Sequence, residues 1–548
     1  MKRLPTHRKL RGSYYTPKVI CDFLASWAIT SSEAAVLEPS CGDGAFIEAA
    51  IERLLGLGVT KKNISKQISG VEYDQKEALK AIERLEKYCI SQSQKQIHIG
   101  DFFAYCVKHL NDQKFDAIIG NPPFIRYQYF PEEHRVIAFQ LMKLMGLRPN
   151  RLTNVWVPFL VASALLLKKH GRLAMVIPAE LLQVNYAADL RYFLSNYYSR
   201  ITIFTFKKLL FDDIQQEVVL FTGERDGHEK TGITIVELND LDELSRYKHT
   251  SAESELKLMD HSTEKWTQYY LTNDEIHLVR KLRQDRRLCV LGDIAEVDVG
   301  VVTGMNDFFV LSKPQTTEYR LDKYTQRVVG RSGHLQGIIF SEEDFQENIR
   351  KKFPAFLLDL PPVNFDKLPK TAQEYVLSGE KQSLHKGYKC SIRKLWYIVP
   401  SVWVPDAFML RQIHYHPKIV LNDAKATCTD TIHRVRFKNS LDKKYFAGAF
   451  LNSLTFSFSE IIGRSYGGGV LELEPNEAEK LPLPFPCSEK LDFDFLDKSL
   501  RCGEVEHVLK INDGILLRKG LGFSESEVSL LQNIWYKLRN RRIGRKKK

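Results

Sequence analysis

"AAVLEPSCGDGAFIEAAIERLLGLG", residues 34–58, runs from a short apolar strand through a glycine turn into an amphipathic helix. Its apolar residues recur at helical spacing and stop in glycine, which marks a helix end. Downstream, "QISGVEYD" (67–74) reads as a second strand and "QKEALKAIERLEKYC" (75–89) as a second amphipathic helix. "KQIHIGDFF" and "KFDAIIGNPP" each end another strand. A helix over 154–169, a strand "RLAMVIP" (172–178) and a helix over about 180–197 follow. Two β-rich runs, "RITIFTF" and "QEVVLFTG", close the region, too near each other for a helical crossover and so expected to pair antiparallel. Repeated β-α-β order predicts an α/β fold: a mostly parallel, seven-stranded sheet with helices on both faces.

The chain has 548 residues, enough for two or three domains. A formal net charge of +12 favours a polyanionic partner, though a merely basic soluble protein carries the same charge. None of the nine cysteines forms a C-x-x-C pair, which argues against a zinc site or disulfide framework and suits a reducing cytosol. The longest apolar run, "VWVPFLVASALLL" (155–167), is too short for a membrane span, and the basic N-terminus leads into no signal-type apolar region. No membrane partner is expected. Polar, turn-rich "GERDGHEKTG" and proline-rich "EKLPLPFPCSEK" predict boundaries, giving regions 1–225, 226–487 and a helical extension 488–548. The last ends in "KLRNRRIGRKKK", read as a solvated terminus or, second, as a phosphate-contacting tail.

In open α/β sheets ligands bind at the carboxyl ends of the strands, near the point where strand order reverses. After the first strand come Glu38, Pro39, Ser40 and Cys41, then Gly42 and Gly44, which permit a tight turn before a helix N-terminus. After the second, Glu72 and Tyr73 place a carboxylate where ribose hydroxyls could donate to it. After the third, Asp101 offers an acceptor and Phe102 an apolar face. "CGDG" alone is also compatible with a dinucleotide turn, but the third glycine of that fingerprint is replaced by Ile47.

After the fourth strand come Asn121, Pro122, Pro123 and Phe124. Each proline fixes φ and removes an N–H, so the loop presents carbonyl oxygens with little competing donor capacity. Asn121 adds an amide oxygen. Such a rim complements an exocyclic amino group, and an aromatic ring can stack on the planar system that carries it. The competing reading is a proline-rich turn with a core phenylalanine.

The order "GSYYTPKVICDFL", "VLEPSCGDGAF", "GVEYD", "GDFF", "FDAIIGNPPF" resembles the gamma-class DNA adenine-N6 methyltransferases of restriction–modification systems, over about the first 222 residues. The resemblance implies a Rossmann-like class I methyltransferase domain followed by an α+β target-recognition domain. It implies S-adenosylmethionine as cofactor, held by Tyr15, Thr16, the segment Glu38–Gly44, Glu72 and Tyr73, Asp101 and Phe102, with Asn121 and Pro123 bordering it. Asn121, the carbonyl of Pro122, Pro123 and Phe124 would form the catalytic loop. Many members carry tyrosine at the Phe124 position; stacking survives without the hydroxyl. Phe211 is the best match to a second aromatic that faces the target base, and a core phenylalanine is the equal alternative.

The implied reaction is methyl transfer to adenine N6 of a flipped base in double-stranded DNA, with no metal. A cognate restriction endonuclease or defence partner and a prokaryotic cytoplasm go with it by analogy. Segments 291–311 and 465–484 also look like parts of recognition domains in this family. Within the second, the run Gly467–Gly469 beside Arg464 and Tyr466 reads equally as a DNA-approaching loop or a hairpin. RNA-base or protein-glutamine methylation, and a non-catalytic DNA-specificity subunit, remain the alternatives.

Overall fold

The computed structural model describes residues 16–88, 90, 93–112, 114–208, 217–226, 231–247, 256–438, 441–466, 468–485 and 490–544. The chain divides into two compact units, the first running to Thr272 and the second from Asn273.

The first unit is built on one eight-stranded sheet. Its strands are β1 (Val36–Glu38), β2 (Ile68–Glu72), β3 (Ile97–Ile99), β4 (Phe115–Gly120), β5 (Leu167–Pro178), β6 (Arg200–Phe206), β7 (Val218–Glu224) and β8 (Gly232–Leu238). The order is β3-β2-β1-β4-β5-β7-β6-β8. The first five pair parallel, and β7 runs antiparallel between β5 and β6 as its missing crossover requires. All seven expected strands are present, and β8 adds an eighth, parallel to β6. The longer helices are α1 (Lys18–Ala28), α2 (Ala45–Gly56), α3 (Gln75–Lys87), α4 (Phe102–His109), α5 (Glu132–Leu144), α6 (Trp156–Leu166) and α7 (Ala188–Tyr197). Helix α6 is buried on almost every side, with Pro158 tolerated in its first turn. It ends at Leu166, short of the expected 169, because Leu167 already pairs with Phe115 in the sheet. The helix expected from 180 begins only at Ala188, after two short 3-10 turns.

The boundary expected at 225 falls instead at 272. Beyond β8, Lys257 forms an antiparallel bridge with Ile233. The fully buried Arg191 of α7 donates to the carbonyls of Leu181, Val184, Thr263 and Glu264, fastening residues 263–264 to the sheet's helical layer.

The second unit mixes short, mainly antiparallel strands with helices, as the absence of βαβ rhythm predicts. Its largest sheet has five strands, in the order Ala295–Val299, Ile432–Phe437, Ala407–Leu410, Ile419–Asn422, Ile339–Phe340. The boundary expected at 487 does not separate a domain. Helices α8 (Ser453–Ile462) and α9 (Glu525–Gly544) belong to the same unit, and Phe456, Leu496, Val508 and Trp535 share one apolar cluster. Nor is the basic tail solvated up to its last described turn. Arg542 is 2% exposed, donates to both carboxylate oxygens of Glu460 and bonds the carbonyls of His414 and Gly469. Arg539 lies over the rings of Tyr415, Trp535 and Tyr536. Residues 464–466 and 470–472 pair antiparallel, so the glycine run joins a hairpin; Gly467 itself lies outside the described residues.

Among the described residues no helix is long and apolar enough to cross a membrane.

Candidate active site at the strand ends

Parallel pairing sets the carboxyl ends of β1 to β4 along one edge of the sheet. The order reverses between β1 and β4, the place where a crevice must open. The turn after β1 is fixed from several sides. Gly42 and Gly44 have φ of +52° and +85°, conformations that favour glycine. A Cβ on Gly44 would meet Ala81 Cα of α3 at 2.9 Å. The Gly42 N–H donates to Glu72 Oε2 at 2.8 Å, and the Cys41 N–H to the Val71 carbonyl. Arg84 of α3 holds Asp43 of the turn and Glu48 of α2. Gly44 caps α2 without a side-chain acceptor, which leaves the helix N-terminus facing the strand ends.

Three carboxylates converge here, Glu38, Asp43 and Glu72, and Asp101 follows at the end of β3. Glu38 is 2% exposed, and its Oε2 has no hydrogen-bond partner. Burial, reinforced by the carboxylates of Asp43 and Glu72, pushes its carboxyl well above the usual range. Glu72 is raised by burial, against the pull of the Asp74 and Gly42 N–H groups. Asp101 caps α4 by accepting from the Ala104 N–H at 2.9 Å. Its carboxyl is raised by burial, opposed by that N–H and by His134.

On the other side of the crevice, Asn121 Nδ2 donates to Thr16 Oγ1 at 3.1 Å. The Ser40 hydroxyl donates to the Asn121 carbonyl at 3.3 Å. Asn121 Oδ1 is buried with no partner. Thus the ends of two adjacent strands each offer an unsatisfied oxygen. Pro122 is buried and Pro123 half-buried. Phe124 is half-buried against the apolar cluster that includes Phe23, Phe46 and Phe204.

The remaining sequence-derived residues divide. Phe102 is 2% exposed and stacks on Phe159 of α6 at 5.0 Å, so its ring is a core element directly beneath the site. Tyr73 is exposed and meets the His134 ring edge-on at 5.2 Å. Tyr15 and Phe211 lie outside the described residues.

Two side chains in this constellation were not singled out from sequence. Arg84 shares a helix face with Ala81, three residues away, and that spacing was its only signal. His134 lies on α5, with Nδ1 3.3 Å from Asp101 Oδ2 and Nε2 3.4 Å from Glu133 Oε1. A proline followed by acidic residues, apolar periodicity and a final glycine in "PEEHRVIAFQLMKLMG" was the signal for that helix.

Comparison with known proteins gives two family matches. The model described as N-6 DNA Methylase matches residues 1–298. The model described as Type II methyltransferase M.Eco57I, C-terminal domain, matches residues 263–517. Type II methyltransferase M.AccI of Acinetobacter calcoaceticus is 22% identical over 513 residues, 90% of this chain and 87% of that protein. Type II methyltransferase M.HindII of Haemophilus influenzae is 23% identical over 347 residues, 60% of each chain. The solved structure of the Type IIL restriction-modification enzyme MmeI in complex with DNA is similar with a TM-score of 0.54 at 13% identity, over 96% of this chain and 75% of that one. That last likeness is one of fold.

Proposed function

This chain belongs to the N-6 DNA methylase family, and on that premise we propose that it methylates adenine N6 at specific sites in duplex DNA, with S-adenosylmethionine as donor. The observation that carries the reading is the pair of unpartnered buried oxygens, Glu38 Oε2 and Asn121 Oδ1, at the ends of neighbouring strands β1 and β4. S-adenosylmethionine supplies a methyl group on a positively charged sulfur. The carboxylates of Glu38, Asp43, Glu72 and Asp101 suit a ligand of that charge, and an adjacent cation would draw the raised pKa values of Glu38, Glu72 and Asp101 back down.

Thr16, the turn Glu38–Gly44 and the N-terminus of α2 would hold the cofactor. Glu72 accepts two backbone N–H bonds and keeps lone pairs for ribose hydroxyls. Asp101 has one oxygen committed to capping α4, which leaves the other for an amino group beside His134. Asn121 Oδ1 and the Pro122 carbonyl would accept from the two N–H bonds of the target amine, localising its lone pair for attack. Rigid acceptors aimed at charge that develops on the amine lower the barrier without reorganising. The amine becomes acidic once methylated, so its proton can leave to solvent without a strong general base. Bringing the base out of the duplex costs a few kcal/mol, which stacking against Phe124 helps offset.

The match of the second family model to 263–517 supports target recognition by the second unit, and duplex DNA over RNA bases, protein glutamine or a non-catalytic role. The setting we infer is a Type II restriction–modification system in a prokaryotic cytoplasm, alongside a cognate endonuclease. Sequencing of modified bases in DNA from cells that express the protein tests this directly. N6-methyladenine at one recurrent motif is expected. Its absence, or methyl incorporation into RNA or protein instead, would overturn it.

A further inference from the structure

Residues 381–394, "KQSLHKGYKCSIRK", carry five lysine or arginine side chains and no aspartate or glutamate. Some exposed lysines of the second unit rest on carboxylates, as Lys313 does on Asp322 and Lys443 on Asp406, and others, such as Lys323 and Lys425, stand singly. Lys381, Lys386, Lys389 and Lys394 are exposed and make no ion pair among the described residues.

The underside of the segment is firmly seated. Cys390 is 1% exposed within an apolar cluster that Leu384 and Trp396 pack against. Arg393 donates to the carbonyls of Val302 and Thr303 at 2.9 and 2.7 Å, and its guanidinium lies over the Phe309 ring. Gly304, at φ +80°, lets the backbone pass where a Cβ would come within 2.6 Å of Lys389 Cβ. On the upper side Tyr388 is 75% exposed and Ile392 63%, four residues apart across one helical turn and so on one face. Lys389 Nζ lies 5.8 Å from the centre of the Tyr388 ring. A rigid base therefore presents two bare apolar side chains among unneutralised cations. Neither feature favours the free protein: the apolar pair gains nothing in water, and the like charges repel.

We propose that this face is a duplex-DNA contact, with Lys386, Lys389 and Lys394 on backbone phosphates and the Tyr388–Ile392 pair against the sugars and base edges of a groove. Charge decides for a polyanion over a second copy of this basic chain, and the apolar pair decides for a grooved polymer over a small anion. The proposal rests on the DNA reading above and adds where the duplex is held.

The test uses the full chain, a fluorescein-labelled duplex oligonucleotide and a single-stranded RNA of equal length. Replacing Lys386, Lys389 and Lys394 together by Gln should weaken duplex binding at least tenfold. Each lost phosphate contact should also lower the slope of log affinity against log salt by about 0.9. S-adenosylmethionine affinity, measured calorimetrically, and thermal melting should not move. Tyr388→Ala should raise the KM for DNA while leaving the salt slope unchanged. An unchanged duplex affinity and slope in the triple variant, with wild type methylating DNA, overturns this proposal alone. So does a loss confined to RNA. Wild type that binds cofactor but no duplex overturns both this proposal and the DNA reading.

Discussion

The buried polar groups at the strand ends of the first unit contrast with two buried carboxylates of the second. At the ends of β1 and β4, Glu38 and Asn121 each keep an oxygen without a partner. In the second unit, Glu460 and Asp513 are closed on hydrogen-bond donors, although other buried polar atoms there, such as Asn512 Oδ1 and His433 Nδ1, have no such partner. Arg542 and Glu460, at 2% and 8% exposure, are joined by two hydrogen bonds. Asp513 accepts from the Ser453 N–H, the Ser453 hydroxyl and the Gln532 amide. An unsatisfied buried acceptor costs about 1–3 kcal/mol, so a ligand that donates to both oxygens would be favoured there. A closed pair has nothing left to offer a ligand. Its geometry holds the fold together and makes its removal costly.

The sharpest way to break that contrast is Asn121→Ala. It should lower single-turnover methyl transfer by on the order of a thousandfold while cofactor affinity changes little. A variant that turned over normally would make the unpartnered oxygen incidental. Next comes Arg542→Met, which strands Glu460 in the interior and should cost about 3–5 kcal/mol in chemical denaturation. The double variant Arg542→Met, Glu460→Leu should recover much of that loss, because two apolar side chains replace a desolvated pair. If the single variant cost nothing, the pair would not be structural.

A pH experiment examines the same unit. Lys418 is 6% exposed and donates to the carbonyls of Leu335 and Gln336, and burial pulls its pKa down to about 8. In the unfolded chain it titrates near 10.4. Between those values the unfolded state holds a proton that the folded state lacks, so stability rises with pH across the window. The rise should total about 3 kcal/mol. Subtracting the melting profile of Lys418→Met should isolate that rise, and matching profiles would show that the amine is not held in the interior. The smallest effect is expected at the cofactor side. His134→Ala removes the ring that faces Asp101 and should weaken S-adenosylmethionine binding several-fold, about 1 kcal/mol, by calorimetry.

Local patterning carried most of the first unit. Seven strands and the turns after β1 to β4 follow from apolar runs that end in polar residues, and the sheet brings those ends together. Three features escaped for physical reasons. β8 follows a polar, turn-rich stretch that reads as a linker, although "GITIVEL" is itself a β-branched run. Residues 263–264 belong to the first unit through Arg191, more than 70 positions away, and no local signal reports a carbonyl clamp. The basic tail looks solvated because its neutralising carboxylate, Glu460, lies 82 positions earlier. At the site, the acceptors were legible because their residue types are unusual at strand ends. The supports Arg84 and His134 were not, since their roles exist only once helices pack.

The close approach of Gly44 to Ala81 makes position 81 a hidden constraint on heredity. Ala81 is fully buried in α3 and has no polar group to offer, yet a Cβ on Gly44 would meet its Cα at 2.9 Å, so a larger side chain at 81 is expected to crowd the turn after β1. In a library randomised at position 81 and selected for survival against a nuclease of matching specificity, glycine, alanine and serine should persist and valine or leucine vanish. Such a filter would operate on a methyl group's worth of volume, one helix removed from the proposed site.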